Sequence, residues 1–135
     1  MTATEKKEYL RRYKQAVLSQ QQVDDEIREL SLISVPPVKM DGMPHAFGSS
    51  ADLSVQAVKI ERLVEKLRKK IDERLQIRRE IIDRIEAMDD ETEKLVLKCR
   101  YIHFCTWEQT AEKAHVAERT VYRIHGNALM HLKID

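Results

Sequence analysis

Hydrophobic positions recur with helical spacing along most of the chain and lose it over one interval. Tyr9, Tyr13, Ala16, Gln20, Val23, Ile27 and Leu30 step alternately by four and three, a coiled-coil seam with a polar interruption at Gln20. This predicts a first long helix within residues 1–30. Over residues 31–51 the period fails. Pro36-Pro37, Gly42, Pro44, Gly48 and Ser49-Ser50 cannot continue a helix, and the stretch reads as a flexible linker. Regular spacing returns over residues 52–88, where Leu53, Ala57, Ile60, Val64, Leu67 and Ile71 carry a seam that continues through Leu75, Ile81 or Ile82, Ile85 and Met88. Leu63 and Ile77 widen it into a second face. A helix of that length spans roughly 55 Å at 1.5 Å per residue. One short partner cannot cover both faces, so the pattern predicts that these helices associate into a homodimer or higher oligomer.

Met88-Asp89-Asp90-Glu91 marks the start of a third region, residues 89–135. Asp89 or Asp90 can cap a new helix, with Glu91 and Glu93 in its first turn and Lys98 and Arg100 in its last, as the helix dipole favours. Leu95, Val96, Cys99 and Ile102 form its core side. Thr106 followed by Gln109 is a capping box that starts another helix at Trp107. Ala111 and Ala114 give that helix a small apolar face on which a second helix can cross closely. His115-Val116-Ala117 is the turn, with Val116 pointing inward. Beyond it, Val121, Ile124, Ala128, Leu129 and Leu132 form one buried stripe, and the opposite face is polar. Two short helices joined this way predict a helix-turn-helix. Glu118, Arg119, Thr120, Tyr122 and Arg123 lie where a recognition helix meets base edges. Together with Thr106 they are the candidate DNA-contacting residues. Trp107 and Tyr101 are expected to be core aromatics, and Tyr122 a DNA contact.

Residues 95–132 resemble sigma-factor region 4. The elements that carry the likeness are a hydrophobic helix ending in Arg100-Tyr101, the opening Thr106-Trp107-Glu108, and Val121, Ile124 and Ala128-Leu129. The whole chain, with its long charged helices and the phrases RYIHFCTWEQTAEK and ERTVYRIHGNAL, is similar to the phage-encoded late-gene transcriptional regulators of the ArpU/RinA type. The similarity is strongest after Asp89. It implies an all-α regulator that activates late genes in a bacterial host cell, with host RNA polymerase as a further partner. Four positions depart from the region 4 pattern. Phe104 and His115 stand at turn positions usually held by Gly, Thr110 replaces a buried aliphatic residue, and Ala117 replaces a Ser or Thr cap. An alanine cap costs on the order of 1 kcal/mol against serine.

Composition agrees with long solvated helices: charged residues make up 35% of the chain, while Gly, Pro and aromatics are scarce. The formal net charge is only +1, which by itself argues weakly against a nucleic-acid binder. Its distribution changes the picture. From Lys113 to Lys133 the charges are Lys113, Arg119, Arg123 and Lys133 against Glu118, and His115, His125 and His131 can add to them. No apolar run approaches a membrane span, and Met1 to Leu10 lacks a signal-peptide core, so a cytoplasmic protein without membrane contact is expected. Cys99 and Cys105 are then reduced thiols, with Cys99 a small buried hydrophobe. Arg68-Lys69-Lys70, Arg74, Arg78 and Arg79 read as a charged face paired to Glu65, Glu73 and Glu80 rather than as a second DNA strip. Cys99, His103, Cys105 and His115 match no zinc spacing, and no metal or other cofactor is expected. No phosphate loop, nucleophile elbow or metal helix is present in the sequence, which argues against an enzyme.

The resulting expectation is an all-α, sequence-specific regulator with two long N-terminal helices, paired as a hairpin or coiled coil, and a C-terminal three-helix DNA-binding domain. Its expected partners are double-stranded DNA and further copies of itself. Two alternatives share these features: a phage DNA-packaging accessory resembling a small terminase subunit, and an interaction module that docks on RNA polymerase without touching DNA.

Overall fold

The computed structural model of the chain describes residues 1–34 and 50–134. Among them it is all-α: α1 (Ala3–Ser34), α2 (Ser50–Glu86), α3 (Glu91–Tyr101), α4 (Trp107–Ala114) and α5 (Glu118–His131). α1 runs past the expected end at Leu30, because nothing before Pro36 stops a helix and a proline disfavours helical geometry chiefly in the residue just ahead of it. α2 begins at Ser50, slightly before residue 52. The expected linker over 31–51 therefore shortens at both ends, and its remaining residues, 35–49, lie outside the described residues. At its other end α2 closes with a tightened turn, Met88 N donating to the Ile85 carbonyl at 3.0 Å, so the helix stops at Glu86 rather than 88. No helix among the described residues is long and apolar enough to cross a membrane.

Two compact units result. The first joins Met1–Val17 to Glu73–Asp135. Its larger core gathers Leu10 and Tyr13 of α1, Ile81 and Ile85 of α2, Met88, Leu97 and Ile102, and Ala128, Leu129 and Leu132. Leu10 lies outside the expected seam of α1 yet is fully buried. The reason is that the first turns of α1 meet several elements at once, which takes a wider face than pairing with one helix. Tyr9 Oη donates to Glu80 at 2.9 Å on the flank of this core. Lys6 Nζ donates to the carbonyls of Leu129 and Met130, at 2.8 and 3.4 Å, placing a cation on the negative end of the α5 dipole.

A second, smaller core of Val96, Ala111 and Val121 closes α3, α4 and α5 on one another, with Trp107, Ala114, Val116 and Ile124 packed around it. α3 is thus buried on two sides, Val96 in this core and Leu97 in the larger one. A single-stripe reading of α3 misses that arrangement: Leu97 is fully buried and Leu95 only partly so. Asp90 caps α3, its carboxylate accepting from Glu93 N at 3.0 Å. Glu93, expected only as a first-turn acid, is itself buried and meets His131 Nδ1 at 2.9 Å.

The departures from the region 4 pattern are accommodated locally. Phe104 and His115 both adopt the left-handed conformation, with φ of 54° and 57°. Such a conformation costs an L-residue roughly 1–2 kcal/mol. At His115 it lets two backbone bonds close α4, His115 N to Glu112 O and Val116 N to Ala111 O. At Phe104 the ring stacks on Tyr13, centroids 5.6 Å apart. Thr110 is fully buried, and its hydroxyl donates to Thr106 O at 2.8 Å, so the polar atom is not stranded.

Ala117 precedes α5 with φ −68° and ψ 151° and makes no side-chain cap bond. Thr106 has nearly the same backbone, φ −68° and ψ 165°, and does cap α4. Ala117→Ser is therefore expected to stabilise the first unit by about 1 kcal/mol, raising its melting temperature by roughly 4–8 °C. An unmoved melting curve would mean that the first-turn N–H groups of α5 are already satisfied.

In the second unit, Leu18–Asp72, the seam of α1 is covered as expected: Val23 is buried, and Gln20, Ile27 and Leu30 are half-buried. The covered stripe of α2 is displaced from the expected one. Ile60, Leu63, Leu67 and Ile71 are partly covered, while Ala57 and Val64 are exposed together with Val55 and Val58. Gln56, Ile60, Leu63, Leu67 and Lys70 keep strict four-three spacing, and counting apolar residues alone favours the wrong face because polar members belong to the right one. Arg68 pairs with Glu65 at 2.7 Å and with Asp72 at 3.4 Å, as a charged solvated face does.

Candidate nucleic-acid interface

The exposed side of α5 is built by the packing of its other side. With Val121, Ala128, Leu129 and Leu132 held in the two cores, Glu118, Arg119, Tyr122 and Arg123 are left exposed and Thr120 half-exposed. Arg119 and Arg123 stand one turn apart, and neither has an ion-pair partner among the described residues. Glu118 and Tyr122 are joined instead, the phenol donating to Glu118 Oε1 at 3.0 Å. That bond pushes the Tyr122 pKa up.

Two of the predicted contact residues are therefore partly committed to the fold. Tyr122 leans on Trp107, centroids 4.8 Å apart and planes tilted by 51°, so its hydroxyl and one ring face are already engaged. Thr106 uses its hydroxyl to accept from Gln109 N at 3.1 Å, while Gln109 Oε1 accepts from Thr106 N at 2.9 Å. It is exposed, but its side chain serves the cap.

Behind this face lies a polar-aromatic cluster. The Arg100 guanidinium sits 3.9 Å from the centre of the Trp107 ring, held there by donation from Nη1 to the Cys105 carbonyl at 2.7 Å. His125 meets Trp107 edge-on at 5.0 Å, and its Nε2 shares a 2.8 Å hydrogen bond with Tyr101 Oη. Trp107 and Tyr101, expected to be core aromatics, are only half-buried: Trp107 packs on the smaller core and against α5, and Tyr101 flanks the larger core beside His125.

A family model described as a protein of unknown function, DUF1492, matches residues 48–133. The chain belongs to the DUF1492 family. No curated protein and no solved structure matches it. The matched segment contains α2 through α5 and so the whole exposed face of α5, whereas α1 lies outside it.

Within the DUF1492 segment, His125 does not contribute the positive charge its type suggested. It is buried, and its pKa falls to about 4, first through burial and then through the charges of Lys7, Arg100 and Arg11. The periodicity held a warning: Val121, His125 and Leu129 are spaced by four, on the stripe read as apolar. Because an unfolded His titrates near 6.5, the unfolded chain takes up a proton between about pH 6.5 and 4 that the native state refuses. Stability is therefore full above pH 6.5 and falls as the pH drops through that window, by up to about 3 kcal/mol before solvent screening. Urea midpoints at pH 7 and pH 5 should differ more for the native chain than for His125→Gln. Equal differences would remove His125 as the titrating group.

Cys99 and Cys105 are free cysteines, and burial pushes the Cys99 thiol pKa up. Among the described residues no group of three or more His, Cys, Asp or Glu side chains is placed to hold a metal ion.

Proposed function

We propose that the chain is a sequence-specific DNA-binding transcriptional regulator in which α4, the His115–Ala117 turn and α5 act as a helix-turn-helix. α5 enters the major groove. The observation that carries this reading is the pair of exposed guanidinium groups, Arg119 and Arg123, without an ion-pair partner among the described residues, on the first turns of a helix whose opposite side is locked into two cores. Arg can fork onto the O6 and N7 of guanine, and the positive end of the α5 dipole favours the phosphates alongside. The missing side-chain cap at Ala117 supports the same reading, because it leaves first-turn N–H groups of α5 for a phosphate. Glu118 and Tyr122, braced on each other, frame the two arginines, and Thr106 positions α4 beside them.

The two long helices supply self-association as a hairpin or coiled coil. Ala57 and Val64, seven residues apart on one side of α2, both stay exposed, an apolar strip suited to a second copy. By its likeness to late-gene regulators the target is a phage or prophage promoter, with host RNA polymerase as a further partner in the bacterial cytoplasm. No catalytic role is assigned.

Binding of the full chain to labelled DNA from its own genetic locus, against scrambled DNA at two salt concentrations, tests this reading. Salt-sensitive preference for one upstream region is the expected result. Equal binding to both DNAs would favour a packaging role, and no binding would overturn DNA recognition in favour of a protein-docking module.

A further inference from the structure

Beside the α5 face, α1 and the α3–α4 junction enclose a depression of about 170 Å3. Lys7, Arg11 and Lys14 line it from α1, and Arg100 with Trp107 and His125 from the other side. Among the described residues no carboxylate lines it. The three α1 cations fall at i, i+4 and i+7, one face of a helix, and none of them nor Arg100 has an ion pair among the described residues. Their neighbour Arg12, one position round the helix, does pair, lying 3.6 Å from Glu80.

We propose that Lys7, Arg11 and Lys14, together with Arg100, hold a backbone phosphate of the DNA that α5 reads. The inference rests on the DNA-binding reading and adds α1, which lies outside the family match, to the interface. Trp107 is the shared wall: one part of it lines the depression and another carries Tyr122 of the α5 face. A strand whose bases face α5 thus passes its backbone over the cations. The ring walls of Phe104 and Trp107 limit solvent around the anion and strengthen its attraction to them. Lys7, Arg11 and Arg100 line the depression together with His125, whose pKa is lowered first by burial and then by these three charges. A free nucleotide is the poorer occupant, since no carboxylate or amide side chain among the described residues lines the depression to read a base or the ribose hydroxyls.

The test compares the full chain with the triple variant Lys7→Ala, Arg11→Ala, Lys14→Ala. A second triple, Lys59→Ala, Arg62→Ala, Lys66→Ala, removes the same charge from exposed positions of α2. Affinity for preferred and scrambled DNA is measured across a salt series. Each phosphate contact contributes about 0.9 to the slope of log affinity against log salt, so loss of the one phosphate held by the α1 cations should lower that slope by roughly 1. It should weaken both DNAs at least tenfold and leave their ratio unchanged, because phosphate contacts carry no sequence information. The glutamine triple at the same three positions, which keeps most of the aliphatic stems, must behave alike, with helical signal and melting retained. An unchanged slope, or an equal loss in the α2 triple, overturns the phosphate clamp while leaving the α5 reading intact. If the unmodified chain binds no DNA, both fall.

Discussion

Arg119→Ala combined with Arg123→Ala is expected to weaken binding to the preferred DNA by roughly 30-fold to 20,000-fold, taking about 1–3 kcal/mol for each base-reading arginine. Sequence preference should collapse with affinity, because the contacts removed are those that distinguish one base from another. The fold should not notice. Both side chains are exposed, and neither has an ion-pair partner among the described residues, so far-ultraviolet dichroism and melting temperature are expected to stay within those of the unmodified chain. This separates the pair from the α1 cations: loss of Arg119 and Arg123 lowers the ratio between preferred and scrambled DNA, and loss of Lys7, Arg11 and Lys14 does not. A double variant that keeps its preference would remove α5 as the reading helix.

The second large effect is on the fold. Val121 is fully buried, in one core with Val96 and Ala111. Val121→Asp places a carboxylate there among apolar side chains, at a cost of about 4 kcal/mol or more, against a total stability of roughly 5–15 kcal/mol for a domain. The first unit should lose its cooperative thermal transition, and DNA binding should go with it. Val121→Thr is the informative companion. Its hydroxyl can donate to the carbonyl four residues back, as Thr110 does to Thr106, so it should cost only about 1–2 kcal/mol and keep the binding face. An aspartate variant that melts like the native chain would mean that the buried and exposed sides of α5 are assigned the wrong way round.

The C-terminal elements were the most legible part of the chain because their signals are local. A capping box needs only Thr106 and Gln109, and both of its bonds form. A helix end that calls for glycine is a property of one residue's φ, and His115 and Phe104 take that conformation where the pattern placed it. The absent cap at Ala117 and the accommodated hydroxyl of Thr110 follow from side-chain chemistry within one turn. Of the candidate contact residues, Glu118, Arg119, Thr120, Tyr122 and Arg123 lie on the accessible part of α5, as a single stripe of apolar neighbours dictates. The engagement of Tyr122 with Trp107 was not legible, since that ring comes from another helix, whereas its bond to Glu118 spans only one turn of α5.

Periodicity failed where a residue answers to more than one neighbour. Leu10 and Leu97 break the stripe of their own helix and are fully buried, because α1 and α3 each contact elements on more than one side. Ala57 and Val64 fit an apolar seam and stay exposed, because the covered side of α2 includes polar positions. His125 looked like surface charge and is a neutral member of an aromatic cluster. The sequence by itself determined the helices, their caps and turns and the polar side of α5, all set by interactions within about one turn. Only the tertiary structure decided that the first turns of α1 and the end of α2 complete the core under α5, and that Lys7, Arg11 and Lys14 face Arg100 across a cleft. Residues so far apart in the chain leave no periodic trace of meeting, and only the packing of the three-dimensional core brings their charges together.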